Sequence, residues 1–288
     1  MARFLFAFLL LCSTSICSAQ TFCEKLAKLK TEYYGFNPSS LNSKQTDAKS
    51  AQLDKFWNLA KTNPEAALPC LKDMVTAENR DPYFCFDAAS LILTLDKKEQ
   101  YLDVVLEAVK KADLADLQGE PYLRVAFFLG KKGKDISALA EKLISTPKAH
   151  VYLVQHAIDL SAIDASIFLY NLMSIKAAEN NLFNIIGNGN ATGKHNATVV
   201  LNILSTNRGD SLLNKLLAEN KLADSTKAFV LKDRKAFAEN SKEQPSTRDE
   251  STVREERTKT ITALSDESIE RYFTLTSELI TIRYRKKK

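Results

Sequence analysis

The chain has 288 residues, with 40 Lys and Arg against 35 Asp and Glu, a formal +5. Arg3 and five basic residues at the end (Arg283, Arg285, Lys286, Lys287 and Lys288) carry that excess. The remaining 34 basic and 35 acidic residues sum to −1, so no basic face argues for nucleic acid as a partner.

Met1 to Ala19 reads as a cleaved signal peptide. Arg3 is followed by an apolar run, Phe4 to Leu11, far short of the roughly 20 residues that span a bilayer. Cys17-Ser18-Ala19 offers small residues where a signal peptidase reads, which makes Gln20 the expected mature start. A lipid-modified cysteine wants a small residue before it, whereas Cys12 follows Leu11 and Cys17 follows Ile16. No later stretch is apolar enough to be an integral membrane segment, so the expected location is periplasmic or secreted. The 269 residues that remain are enough for a sizeable core. Eight glycines and seven prolines are few for an all-β chain, and abundant Ala, Leu, Lys and Glu favour helix.

Residues 20–62 are expected to form N-terminal helices. Phe22, Leu26 and Leu29 share one face of the first. Asn37-Pro38-Ser39-Ser40 interrupts, and a second runs from about Lys44 to Lys61 with Leu53, Phe56, Trp57 and Ala60 inward. Asn63-Pro64 then opens a helix by N-cap and proline at the first position. Its stripe is Ala66, Ala67, Cys70, Leu71, Met74 and Val75, and Pro69 within it should kink the helix or delay its start. Asp81-Pro82 repeats the signal before Phe84, Ala88, Leu91, Ile92 and Leu95. Phe86, Ala89 and Leu93 widen that stripe until the helix is apolar over most of its circumference, hence buried on more than one side. Asp96-Lys97-Lys98-Glu99 has the form of a capping box ahead of Leu102, Val105, Leu106 and Val109.

The apolar helix carrying Phe86-Asp87-Ala88-Ala89-Ser90-Leu91, a tight turn, and Tyr101 to Val109 resembles a HEAT-type or armadillo-type repeat, best over residues 64–111. The resemblance implies an all-α fold, an irregular α-solenoid of stacked antiparallel helix pairs; an irregular helical bundle would serve the same stripes. The repeat body is expected over 63–240.

Further along, Gly119-Glu120-Pro121 starts a short helix that Gly130-Lys131-Lys132-Gly133-Lys134 ends. Asp135 caps the next, with Ile136, Leu139, Ala140, Leu143 and Ile144. Thr146-Pro147 is read as another start, with Val151, Val154, Ala157 and Ile158 on one helical face. Asp164 begins a helix with Ile167, Tyr170 and Met173. Gly187 to Lys194 reads as an exposed flexible loop. It is no phosphate loop, because Asn188 stands where a glycine and His195 where a Ser or Thr is required. Asn190-Ala191-Thr192 and Asn196-Ala197-Thr198 are glycan acceptors if the source secretes through an endoplasmic reticulum. Helices follow over Asn196–Ser205, Ser211–Glu219 (capped by Asp210) and Ser225–Asn240.

Residues 241–260 hold almost no apolar side chain but Val253, and read as a polar linker. Over 261–288 a final helix, capped by Ser265-Asp266-Glu267, carries Ile269, Tyr272, Phe273, Thr276, Leu279 and Ile280 before the basic tail. It docks either on its own chain or on a partner, which makes Ile269, Tyr272, Phe273, Leu279 and Ile280 the candidate partner-binding residues.

Cys23, Cys70 and Cys85 survive signal cleavage. Cys70 and Cys85, on consecutive helices, are the candidate disulfide pair; the alternatives are a bridge involving Cys23, or two small buried apolar residues. No catalytic, cofactor or metal residue is assigned. His150 and His156 are six apart, whereas two helical ligands prefer four, and Asp87 is the one acid set in a strongly apolar face. The expected function is an extracytoplasmic helical-repeat scaffold whose partner is another protein. The alternative is a helical binder of a small ligand or glycan, or an enzyme with a groove site.

Overall fold

The computed structural model describes residues 21–32, 43–77, 82–112, 120–147, 149–153, 158–204, 206–243 and 248–260, and in the last stretch residues 268, 270–272, 274–275, 278–279 and 282. The chain is all-α with almost no sheet. It divides into two compact units, Met1–Ala112 and Asp113–Lys288. The division falls inside the expected 63–240 body rather than at its ends.

The first unit contains α1 (21–32), α2 (Ser43–Thr62), α3 (Pro64–Thr76), α4 (Pro82–Leu95) and α5 (Leu102–Lys111). Pro64 and Pro82 open their helices as the sequence implies, and α3 runs on through Pro69. Helix α4 packs against α2, α3 and α5. Its Cys85, Phe86, Ala88, Ala89, Leu91, Ile92 and Leu93 are all buried, as a helix apolar on several sides requires. The turn after α4 departs from the expected capping box. Glu99 has φ +58°, outside the helical range, so α5 starts only at Leu102. The buried Asp96 carboxylate accepts instead from the Tyr101 N–H at 2.7 Å.

The second unit contains α6 (Glu120–Lys131), α7 (Ser137–Ser145), β1 (His150–Leu153), β2 (Ile158–Ser161), α8 (Ala162–Leu172), α9 (Ile175–Asn188), α10 (Ala191–Leu204), α11 (Asn207–Ala218), α12 (Asp224–Glu243) and α13 (Glu250–Thr260). A C-terminal helical segment follows, helical at each described position from 268 to 282. Helix α10 touches α7, α8, α9, α11 and α12. Gly133, at φ +75°, closes α6 in the left-handed conformation glycine adopts at no steric cost. Gly130 serves a close approach: a Cβ there would lie 2.7 Å from Ile136 Cδ1 and 2.9 Å from Leu172 Cδ1.

Three further expectations are corrected. The helix proposed after Pro147 is a hairpin, in which β1 pairs antiparallel with β2, Val151 opposite Leu160 and His150 opposite Ser161. Val151 and Leu160 are buried while His150, Asp159 and Ser161 are exposed. The apolar residues there alternate with period two, and β-branched Val and Ile favour the pleat. The Gly187–Lys194 loop is a two-residue break, Gly189 and Asn190, between α9 and α10. The Asn190 side chain caps α10, accepting from the Gly193 N–H at 2.7 Å. Helix starts at α8 and α11 also fall earlier than read: Ser161 caps α8 with Asp164 as its third residue in a capping box, and Thr206 caps α11 by accepting from Gly209.

The largest correction is at 241–260. Helix α12 continues to Glu243 and residues 250–260 are helix α13, not a linker. The stretch has Val253 as its one apolar residue yet has the other helix determinants. The Asp249 carboxylate accepts from the Ser251 N–H at 3.0 Å, Glu250 sits in the first turn, and Arg257 and Lys259 sit in the last, where the helix dipole favours each sign. Glu255 and Lys259 pair at 2.5 Å one turn apart.

Candidate functional site

The two candidate cysteines do not pair with each other. Cys70 is bonded to Cys23, with Cα atoms 5.3 Å apart, and Cys85 is a buried thiol outside that disulfide. The reason is geometric. Helix α1 brings Cys23 to the Cys70 face of α3, while Cys85 lies fully buried within α4. Closing the 47-residue separation stabilises this unit by about 4 kcal/mol in loop-closure entropy.

Of the candidate partner-binding residues, Tyr272 and Leu279 are buried in their own chain; the side chains of Ile269, Phe273 and Ile280 lie outside the described residues. The Tyr272 ring stacks on Phe168 of α8 with centroids 4.5 Å apart. Its hydroxyl accepts a short hydrogen bond from the Asn171 amide and lies 3.4 Å from the Ile167 carbonyl oxygen. The Arg257 guanidinium sits 5.7 Å over the same ring, and burial lowers its pKa, Tyr272 opposing the shift. Tyr272 and Leu279 are thus used by the fold. Leu275 and Ile282, three residues after Tyr272 and Leu279 respectively, are also buried and cluster with Leu279 and Val253.

The other singled-out residues are separated. Asp87 is half-buried on α4 and His150 is exposed on β1; His156 lies outside the described residues. His195 is not in a loop but on α10, with Nδ1 2.8 Å from Thr226 Oγ1 and its ring edge-on to Phe229 of α12. Trp57 is half-buried beneath the Lys61 ammonium at 5.0 Å. Asn196 is buried and its amide donates to the Ile144 carbonyl at 2.9 Å, so the folded chain leaves no access for a glycan there. Asn190 remains exposed.

A set of polar side chains between helices, several of them buried, went unread in the sequence. Glu179 of α9, 4% exposed, pairs with Arg208 of α11 at 2.9 Å. Asn202 of α10 donates to Asp233 at 2.6 Å and accepts from Arg234 Nε at 2.8 Å. Arg234 also donates to Asn214 at 2.8 Å, so α10, α11 and α12 are tied by one side chain. Burial raises the Asp233 pKa, against the pull of Asn202 and Arg234. The Tyr170 hydroxyl donates to Asn181 at 2.7 Å, Asn181 donates to Glu141 at 3.3 Å, and the buried Tyr122 hydroxyl donates to the Leu139 carbonyl at 2.7 Å. Burial holds both phenols well above their usual pKa. The available signal was a polar residue in an apolar register, such as Asn202 within Val199-Val200-Leu201-Asn202-Ile203-Leu204; such a residue must find a partner when buried.

These groups bind helix to helix. Among the described residues, no group of three or more His, Cys, Asp or Glu could hold a metal ion, and no helix is long and apolar enough to cross a membrane. Comparison of the chain with protein-family models, curated proteins and solved structures finds no match in any of the three. The helical-repeat resemblance gains no support there.

Proposed function

We propose that this protein is an extracytoplasmic helical scaffold that works by binding another protein. The observation that carries the reading is where the buried polar side chains are spent. Glu179, Asn196, Asn202 and Asp96 each complete a bond within the fold, so chemistry-bearing groups fix helix positions rather than converge. The order of contacts agrees with a stack: α6 meets α8, α8 meets α10, and α10 meets α12, as successive helices do in solenoids that present extended surfaces to partners. The α7–α10 contact is one departure from regular pairing. The Cys23–Cys70 disulfide supports an oxidising compartment, in line with the signal-like residues 1–19.

The test is cross-linking in the intact source cell, followed by purification of the full chain. One protein recovered at a fixed ratio is the expected result. A chain that instead carries a bound glycan or small molecule, and no protein, overturns the reading. Compartment is checked separately: the mature chain should begin at Gln20 and, once denatured, expose a single alkylatable thiol, Cys85.

A further inference from the structure

Among the described residues three large apolar side chains stand in the open: Ile175 and Leu231, each 49% exposed, and Phe229 at 43%. Leu231 is set apart by what surrounds it. Its neighbours one turn away on α12, at i−4, i−3, i+3 and i+4, are Lys227, Ala228, Arg234 and Lys235, three cations and an alanine with no acid. Two of these cations also fix where the strip points. Lys227 donates to Asn220, just past α11, at 2.9 Å. Arg234 donates to Asn214 of α11 at 2.8 Å and pairs with Asp210 at 3.6 Å. Leu231 therefore lies between two polar ties, on the side of α12 that meets α11. Leu217, half-buried, falls between the same ties on α11, three residues after Asn214 and three before Asn220. The two leucines make an apolar notch with a basic rim.

The nearby acids do little to neutralise that rim. Glu219, at the end of α11, is held by Lys221 at 2.8 Å and lies 4.0 Å from Lys215. Asp233 turns to Asn202 of α10, Glu239 reaches Lys235 only at 4.0 Å, and the printed partner of Lys227 is a neutral amide. We infer that the notch docks an acidic segment of the partner protein, with one apolar side chain entering beside Leu231 and carboxylates meeting Lys227, Arg234 and Lys235. The inference rests on the scaffold reading and gives it a surface. Burying Leu231 supplies affinity, while the cations set register and speed encounter. A lipid surface fits less well. A helix lying in a bilayer needs its apolar residues on one face, whereas Phe229, two residues from Leu231, meets His195 of α10 on another side of α12.

The test places a benzophenone side chain at position 231 of the full chain, or at the equally exposed position 175 as a control, and irradiates the intact source cell. Position 231 should link one protein through a peptide rich in Asp and Glu, and position 175 should not. Leu231→Asp should then weaken the affinity of the purified chain for that protein by about tenfold, as losing most of a leucine's burial implies. Its thermal unfolding should match wild type, because the side chain is half in water already. Lys227→Gln with Lys235→Gln should weaken binding and flatten its dependence on salt. A protein linked at 175 and not at 231 overturns this surface and leaves the scaffold reading standing; no protein linked at either position, and none recovered by general cross-linking, ends both. A lipid, a second copy of this chain or a peptide without acidic residues at 231 overturns the proposed occupant, as does an affinity that Leu231→Asp leaves unchanged.

Discussion

Helices α4 and α13 are made by opposite means. Helix α4 has almost no charge, and its apolar side chains are buried from Cys85 to Leu93; its stability is tertiary, supplied by α2, α3 and α5 around it. Helix α13 is mostly charged, buries Val253, and rests on a cap, an oriented dipole and pairs one turn apart. The contrast shows that apolar periodicity marks helices a core demands, whereas a helix at the surface is written in its ends and charges. The first kind should be costly to damage and the second cheap.

The largest effect is therefore expected in the first unit. Phe86→Ala removes a fully buried ring and should cost about 3–5 kcal/mol. Trp57 is the chain's one tryptophan and belongs to this unit, so its fluorescence during denaturant unfolding reads the loss. Cys70→Ser should cost this unit about 4 kcal/mol or less by the loop-closure argument, on the same probe. If either variant unfolds with wild-type Trp57 behaviour, α4 and the bridge are not what hold the unit, and the contrast fails.

Val253→Ala sharpens the other side. Two methyl groups leave a four-residue cluster, worth about 1.5 kcal/mol at roughly 0.8 each. The expected readout is faster hydrogen exchange in 250–282 with Trp57 fluorescence unchanged. An effect as large as that of Phe86→Ala would show that α13 is part of a main core after all.

The difference between the helices also explains what could be read in advance. The all-α class, the proline starts at Pro64 and Pro82, and the wide stripe of α4 are local consequences of backbone and period, and each stands as expected. The hairpin at 150–161 was missed because Val151 and Ile158 fit both a helical and a period-two face, and only packing chooses. Helix α13 was missed because its one apolar residue, Val253, gives no period to count. The Cys23–Cys70 pairing and the Tyr272–Phe168 stack join residues 47 and 104 positions apart, which no local pattern encodes. Asn196 shows the limit most plainly: a sequence motif for an exposed glycan falls on a buried amide.

The smallest effect concerns Asp233, where neither period nor charge count decides the sign. Burial raises its pKa above the unfolded value, so the folded state holds the proton more tightly. Its contribution to stability is then full below the unfolded carboxylate pKa and is lost as pH rises through the folded one. At neutral pH the ionised group is a mild burden, offset in part by Asn202 at 2.6 Å and by neighbouring Arg234. Asp233→Asn keeps an oxygen for the Asn202 amide, and Arg234 retains Asn202 and Asn214 as acceptors, with Asp210 at 3.6 Å. The variant should match wild type near pH 3 and equal or exceed it at pH 7, by no more than about 0.5 kcal/mol given how open the site is. Denaturant titrations of the two proteins at both pH values, followed by circular dichroism, supply the comparison. A variant weaker than wild type at pH 7, with the gap closing in acid, would mean that the Asp233–Arg234 attraction outweighs burial and that the polar tie between α10 and α12 is held by charge.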